Sequence, residues 1–409
     1  MTGARPTAVT TRRLSTGSLP VVNVVLLEIG LAAGLVLLAV SRWAALAVLL
    51  VAVPLALGRW HGRWVVRWVQ LSASYLARSP GRLRIADVTS PGPAPAGENA
   101  VLGGGDPRVA LLRLIVPDLI IAHGADHRRE PLGLAWHQGA WTVVLQVQPP
   151  PALITPVGGT PGLPLGALTP CLADRGVVLD AIQVIWHCYP GNAALAASSP
   201  ALRSYLEVLG PLPAAARRTT WVAVRLDPQR CPAAVAERGG GVLGAHRALI
   251  GALSRVRSAL ESRDISTRLL DADQLLRAGI CAAELSAVAG TGRQVTLNEG
   301  WTAVTAAGVQ HASYAISGWA VGGVAPDLTA LTGVRALSTT VALALSPGPH
   351  GADAGLRGLV RVSARSHAEL DAADGRLVAV SERLGVTLTA LHGRHVAGLA
   401  ATLPLGSDR

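Results

Sequence analysis

The chain contains no lysine and no phenylalanine, and its one methionine is Met1. Without lysine there can be no G-x-x-x-x-G-K-[ST] phosphate loop, so ordinary P-loop nucleotide hydrolysis is excluded. Nor does a G-x-G-x-x-G follow a strand, and there is no G-x-S-x-G elbow and no H-E-x-x-H pair. The four cysteines, Cys171, Cys188, Cys231 and Cys281, are widely spread and form no C-x-x-C. That spacing argues against a zinc site or a disulfide framework and fits reduced, buried thiols. With lysine absent, all 36 basic residues are arginine; against 25 acidic residues they leave a net charge of +11. Arginine, alanine, glycine, valine and leucine are the residues GC-rich codon usage favours. A basic balance suits nucleic acid, anionic lipid or an acidic partner. Here the arginines beside the apolar block favour lipid headgroups, and no nucleic-acid partner is expected.

What the chain does have is apolar residues: 50% of its 409 positions, with a mean hydropathy of +0.41. They are concentrated between Leu19 and Leu57. Pro20–Val40 reads as about 21 apolar residues, roughly 31 Å as a helix and enough to cross a bilayer. Ser41-Arg42-Trp43 interrupts it, and a second run follows from Ala44 to Leu57, with Trp43 and Trp60 as interfacial ends. Arg5, Arg12 and Arg13 precede the pair, Arg59, Arg63 and Arg67 follow it, and Arg42 alone lies between. The positive-inside rule then puts both flanks, and both termini, in the cytoplasm. A cleaved signal peptide would have a shorter apolar region and would not run on into a second helix.

Glu28 is the one ionisable group inside the first run, with Asn23 one turn before it. Three readings stand: a polar contact to another membrane helix, a contact to Asn23, or a carboxyl that snorkels to one interface or is protonated. Beyond the second run, Trp60, Trp64, Trp68, Leu71 and Tyr75 recur at spacings of four, four, three and four, beside a row of Arg59, Arg63 and Arg67. This periodicity predicts an amphipathic helix that lies along the headgroups or extends as a stalk, the alternative being a core helix. The candidate membrane and partner contacts are therefore Glu28, Trp43, Arg59, Trp60, Arg63, Trp64, Arg67 and Trp68.

The domain plan follows from composition. Residues 1–18 form an N-terminal tail, 19–60 a transmembrane helical hairpin, 61–78 the juxtamembrane helix, and 79–107 a Pro/Gly linker. Two cytoplasmic α/β subdomains follow, 108–290 and 291–409. In the first, strands flank His137-Gln138-Gly139, then come a helix near Gly166–Asp174, strands at Val177–Tyr189 and Thr219–Arg225, a long helix from Ala233 to Ser262 with Gly239–Gly241 as a disturbance within it, a strand at Asp264–Leu270 and a short helix from Asp271. In the second, a hairpin turns around Gly308, a short helix covers Ala325–Leu331, strands cover Arg335–Leu345 and Leu356–Ala364, and a helix at Ser366–Leu384, a strand and a last helix at Arg394–Ala401 close the chain. The β-α-β-β-α-β order occurs twice, so the expected class is α+β: a membrane hairpin followed by two ferredoxin-like halves.

Candidate chemistry is sparse. His123 and His127 flank Asp126 in a loop-like stretch. His392 and His395 sit at a strand-to-helix turn with no carboxylate near in sequence. Asp271 and Asp273 fit a helix N-terminus, with Glu284 the third member of a loose acidic group. The alternative to a non-enzymatic protein is a membrane-anchored, transferase-like enzyme, which would need Asp180, His187, Asp264 or Asp271 to converge in a cleft. No catalytic residue, cofactor or metal is expected.

The order of these features resembles the EccE family, a membrane component of the actinobacterial type VII (ESX) secretion system. The residues that carry the resemblance are the basic Trp-rich exit from the hairpin, the turn with Pro131, Gly133, Gly139 and Trp141, and RRTTWVAVRLDPQR over Arg217–Arg230. Thr339–Pro347 and Ala401–Gly406 add to it. The resemblance implies a non-catalytic structural subunit that assembles with EccB, EccC and EccD in the cytoplasmic membrane. It implies a role in building or stabilising the channel that exports small helical effector proteins, with EccC supplying ATP hydrolysis.

Overall fold

A computed structural model describes residues 21–60, 63–77, 83–86, 101–102, 106–148, 163–189, 217–289, 291–292, 294–319, 328–348 and 354–406. The expected N-terminal tail lies outside them. The chain divides into two compact units, Arg13–Arg82 and a second one containing Leu83–Arg409.

The first unit is an antiparallel helical hairpin, α1 (Val21–Leu38) and α2 (Arg42–Leu57). Ala39–Ser41 make the turn, so Arg42 and Trp43 belong to the first turn of α2 and not to the connection. Small residues let the helices close. A Cβ on Gly30 would sit 2.4 Å from that of Ala52, and one on Gly34 would sit 3.2 Å from Leu49. At the open end the Asn23 amide donates to the Ala56 carbonyl at 2.7 Å, so Asn23 is spent on α2 and not on Glu28. Among the described residues no helix is both long and apolar enough to cross a membrane. The 18 residues of α1 rise about 27 Å and the 16 of α2 about 24 Å, against about 30 Å of hydrocarbon. The 21-residue expectation counted Ala39 and Val40, which turn.

The expected helix over 61–78 starts later. Arg59–Trp60 (β1) and Arg63–Trp64 (β2) pair antiparallel, and α3 runs from Val65 to Ala77. Gly58 causes the break. Its extended backbone (φ −68°, ψ 139°) ends α2, its N–H caps Pro54, and its carbonyl receives the Val65 N–H.

The second unit is built on one antiparallel sheet. Its first half comprises β6 (Pro131–His137), β7 (Ala140–Val147), β10 (Ala181–Tyr189), β11 (Arg217–Leu226) and β12 (Thr267–Leu269). The second comprises β14 (Val304–Ala306), β15 (Val309–Gly318), β16 (Ser338–Pro347), β17 (Ala354–Ala364) and β18 (Thr387–Ala390). The pairing order is β12-β7-β11-β10 in one and β18-β15-β17-β16 in the other. Each half opens with the same turn. Gln138 and Gly139 have φ of +50° and +77°, Ala307 and Gly308 +51° and +82°. Two successive left-handed residues are the two-residue hairpin turn whose twist matches the flanking strands. The halves join where β10 pairs antiparallel with β16, from Ile182 opposite Leu345 to Cys188 opposite Thr339.

Helices cover both faces. On one lie α7 (Gly241–Glu261), which buries Ala245, Leu249, Leu253, Val256 and Leu260, and α9 (His367–Arg383), which buries Leu370, Ala373 and Leu377. On the other lie α4 (Pro107–Arg113), α8 (Ala272–Ala282) and α10 (His395–Ala401). The single helix expected over Ala233–Ser262 is two, α6 (Pro232–Glu237) and α7, because Gly239, Gly240 and Gly241 all take positive φ. The Gly166–Asp174 segment is a four-residue helix, α5 (Leu165–Leu168), then a 3-10 turn, Thr169–Leu172, and β8 (Ala173–Asp174), which pairs antiparallel with β9 (Val177–Val178). A second 3-10 turn, Leu328–Gly333, takes the matching place in the other half.

The expected linker contributes to the sheet. β3 (Leu83–Ala86) pairs with β13 (Val295–Glu299) at one end, and β4 (Val101–Leu102) with β5 (Ile120–Ala125) at the other. The apolar stretch after it becomes α4 and β5. Asp106 caps α4 by accepting the Arg108 N–H at 2.8 Å, and Leu112 packs against Gly279 of α8.

Candidate functional site

Two places concentrate the side chains that bear on function: the outer surface of the hairpin, and the centre of the sheet.

The hairpin exposes large apolar side chains on both helices. Ile29, Leu35, Val36, Leu50 and Trp43 are each at least 60% exposed. Glu28 is exposed too, and no described residue pairs with it. Arg59 is exposed and its guanidinium lies 4.2 Å over the Trp64 ring, a cation–π contact that keeps both groups at the start of α3. Arg67 is exposed, whereas Trp68, Leu71 and Tyr75 are half-buried, so the aromatic stripe is the covered side of α3. Trp64 precedes that helix, so the expected eighteen-residue face is shorter than its periodicity suggested. The side chains of Trp60 and Arg63 lie outside the described residues.

At the centre of the sheet sit two arginines that sequence reasoning passed over, each reaching a backbone carbonyl of the opposite half. Arg225 of β11 donates Nη1 to the Gly406 carbonyl, beyond α10, and Nε to Asp180 Oδ2 at 2.8 Å. Asp180 also receives Arg230 at 2.9 Å and keeps some exposure. Beside it, Gln183 Nε2 donates to the Ala401 carbonyl at 2.6 Å. Arg361 of β17 is fully buried and donates Nη2 to the Ala282 carbonyl, at the end of α8, and to Thr340 Oγ1 at 3.0 Å. A cation against the last carbonyls of a helix is favoured by the dipole as well as by the hydrogen bond.

Thr340 Oγ1 accepts from Arg361 and lies 2.8 Å from His187 Nδ1. His187 Nε2 lies 3.6 Å from Glu284 Oε1. His311 Nδ1 lies 2.9 Å from Ser363 Oγ and 3.3 Å from Arg361 Nη1. Burial, reinforced by the Arg361 charge, pushes His187 down to about 3 and His311 well below the usual range, so both are neutral. Burial also raises the Glu284 carboxyl, opposed by Ser338, Arg361 and Tyr189. It lowers Arg361 to about 10, opposed by Glu284. Tyr189 donates to the Cys281 carbonyl at 2.9 Å and lies 3.1 Å from Glu284. The result is a buried guanidinium and a buried carboxyl from opposite halves, each tied by hydrogen bonds to its neighbours: an arrangement that locks two halves together.

The other candidates fall apart in space. Asp271 forms a capping box with Gln274, and Asp273 pairs with Arg277 at 2.7 Å and with Arg108. Asp264 is an exposed turn residue and Asp180 serves Arg225 and Arg230, so the four groups that an enzyme would need do not converge. Asp126 accepts the N–H groups of Arg128 and Glu130, closing the loop beside His123 and His127. His395 accepts from the Ser313 N–H at 3.1 Å and donates to the Trp301 carbonyl at 3.2 Å. Arg218 donates to Thr332 at 3.0 Å; the side chain of Arg217 lies outside the described residues. Among the described residues no group of three or more His, Cys, Asp or Glu can hold a metal. All four cysteines are free.

The stretch that supplies Arg225, α7 and Glu284 is also matched by a family model. Residues 214–316 match the family described as "Putative type VII ESX secretion system translocon, EccE". Over this stretch the chain is similar to the EccE family. It is 36% identical over 64 residues to the ESX-1 secretion system protein EccE1 of Mycolicibacterium smegmatis, covering 16% of this chain and 14% of that one. It is 30% identical over 117 residues to the ESX-5 secretion system protein EccE5 of Mycobacterium marinum, 28% of each chain. It is 30% identical over 108 residues to EccE1 of Mycobacterium tuberculosis, 24% of this chain and 23% of that one. The matches thus span well under a third of the relatives' length. The match includes Arg217–Arg230, where the sequence resemblance was read.

Proposed function

We propose that this chain is a non-catalytic structural subunit of a type VII (ESX) secretion complex, held in the cytoplasmic membrane by α1 and α2. Its sheet unit lies on the cytoplasmic side, and it stabilises the channel through which small helical proteins leave. The observation that carries the reading is the EccE match over residues 214–316. The exposed apolar surface of the hairpin supports the membrane part, because soluble proteins rarely leave so many large apolar side chains bare. Helices of about 24–27 Å fit a bilayer of about 30 Å if it thins slightly or if Trp43 and Arg59 complete the span at its interfaces. Arg59 and Arg67 are exposed where anionic headgroups would lie. The repeated strand order supports two ferredoxin-like halves, with the boundary near residue 290.

EccB, EccC and EccD are the proposed partners. The test is mild detergent extraction from the native host followed by affinity purification of the full chain. Recovery with those three subunits is expected; consistent recovery as a lone monomer overturns the reading. A membrane-bound enzyme is not favoured by any observation, since its candidate residues are engaged separately.

A further inference from the structure

The two helices of the hairpin present different outer surfaces. On α2 the exposed residues Leu46, Leu50, Val53 and Leu57 recur at spacings of four, three and four with no charge among them. A uniform apolar stripe of this kind is satisfied by acyl chains. On α1 the exposed seam is Val24, Val25, Glu28, Leu31 and Leu35. These positions lie one above another on a helix, so a single carboxylate sits in the middle of an otherwise apolar face.

That carboxylate has no way to reach water along the helix. Glu28 is the eighth of the 18 residues of α1, about 2 Å from the helix midpoint and about 10 Å from its N-terminal end. A glutamate side chain is roughly half that length, so snorkelling fails. Its nearest polar neighbour in sequence is committed elsewhere, since Asn23 is buried and bonded to Ala56 on the opposite side of the helix. Gly30 and Gly34, the small-residue pair that commonly joins membrane helices, are already used against Ala52 and Leu49. The surface of α1 that remains open is the one that carries the charge.

We propose that the Glu28 seam of α1 docks a membrane helix of a different chain, and that this helix places a cationic side chain opposite Glu28. Charge complementarity selects the occupant. A lipid tail leaves the carboxylate bare at mid-membrane, where a charge without a partner is strongly disfavoured. A second copy would oppose two carboxylates, which repel unless they share a proton. A cation at the same depth neutralises the charge and gains charge-assisted hydrogen bonds. The inference rests on the bilayer placement proposed above.

The experiment uses the full chain in its native host, with a photoreactive amino acid at position 31 or 35 on α1, or at position 46 or 50 on α2. In parallel, Ser41→Cys is treated in intact cells with a membrane-impermeant maleimide. The expected result is that positions 31 and 35 crosslink to one non-self polypeptide and positions 46 and 50 do not. Glu28→Leu and Glu28→Arg should lower the adduct at position 35 at least about tenfold, with Glu28→Gln intermediate. An unchanged adduct in Glu28→Leu overturns the docking, as does an adduct of twice the chain's own mass, which indicates a second copy. Crosslinking to lipid alone overturns it as well. If Ser41→Cys is not labelled, the bilayer placement itself fails and the docking with it. Labelling without a Glu28 effect sinks the docking alone.

Discussion

The two halves of the sheet solve the same problem with different amounts of water. Each places an arginine on the strand next to its joining strand, β11 or β17, facing the layer of α8 and α10, and each arginine grips a carbonyl supplied by the other half. Arg225 holds Gly406 and shares Asp180 with Arg230 near solvent. Arg361 holds Ala282 in a site from which solvent is excluded, with Glu284 of the other half as its counter-charge. The wet clasp has a nearby replacement cation and a partly hydrated anion. The dry one has neither, so it depends on every member being present and correctly protonated.

The largest difference should come from removing the arginines one at a time. Arg361→Leu leaves Glu284 buried without its cation and should cost about 3–5 kcal/mol. Adding Glu284→Gln should return part of that loss, as read from urea unfolding of the detergent-solubilised chain. A loss below about 1 kcal/mol would break the comparison. Arg225→Leu should cost about 1–3 kcal/mol, because Arg230 still neutralises Asp180. Equal losses at the two sites would show that hydration of the anion does not matter.

Acid should act on the dry clasp through its histidines. His187 titrates at about 3 in the fold, below its ordinary value of 6.5. A depressed value means that its contribution is present above about 6.5 and is lost as pH falls towards 3. His311 shifts in the same direction. Both therefore withdraw stability progressively as pH falls below 6.5. Glu284 has the opposite sign: its raised value favours the fold at low pH and withdraws that support as pH rises above 4.5. Two histidines against one carboxyl predict a unfolding midpoint that drops between pH 7 and pH 5, with His187→Gln flattening the slope. A profile flat over that window would contradict the neutral assignment.

The smallest effect concerns the two opening turns. Gly139→Ala and Gly308→Ala meet no neighbour but force alanine to φ of +77° and +82°. Each should cost about 1 kcal/mol, and thermal melts that differ by much more between them would show that the turns are not equivalent.

Local chemistry was readable in the sequence where it acts alone. The X-Gly pairs at 138–139 and 307–308 sit between alternating apolar runs, and Asp271 stands three residues before Gln274, so the hairpins and the start of α8 were legible. Periodicity misled at Trp60 and Trp64, since Gly58 turns the chain before a helix can form. β3 and β4 were hidden in a Pro/Gly-rich stretch because a strand of two to four residues is defined by the strand it pairs with. The clasps left only a faint trace: an arginine at an inward position of an apolar strand, WVAVRL and LVRVSA. Glu284 and Arg361 are far apart in the chain, and nothing local announces that they meet.

The join between β10 and β16 has a consequence for how this architecture can be divided. Both stand at the inner end of their half's pairing order, and each is buried along nearly its whole length only because the other lies beside it. Cut the chain between the halves and each piece carries an open row of backbone donors and acceptors flanked by apolar side chains, the template on which strands aggregate. Antiparallel pairing is compatible with a twofold axis, so one half could close that row by meeting its own copy. The covalent chain makes this encounter intramolecular, and the two unlike arginine sites then give each half a partner that a copy of itself would not supply.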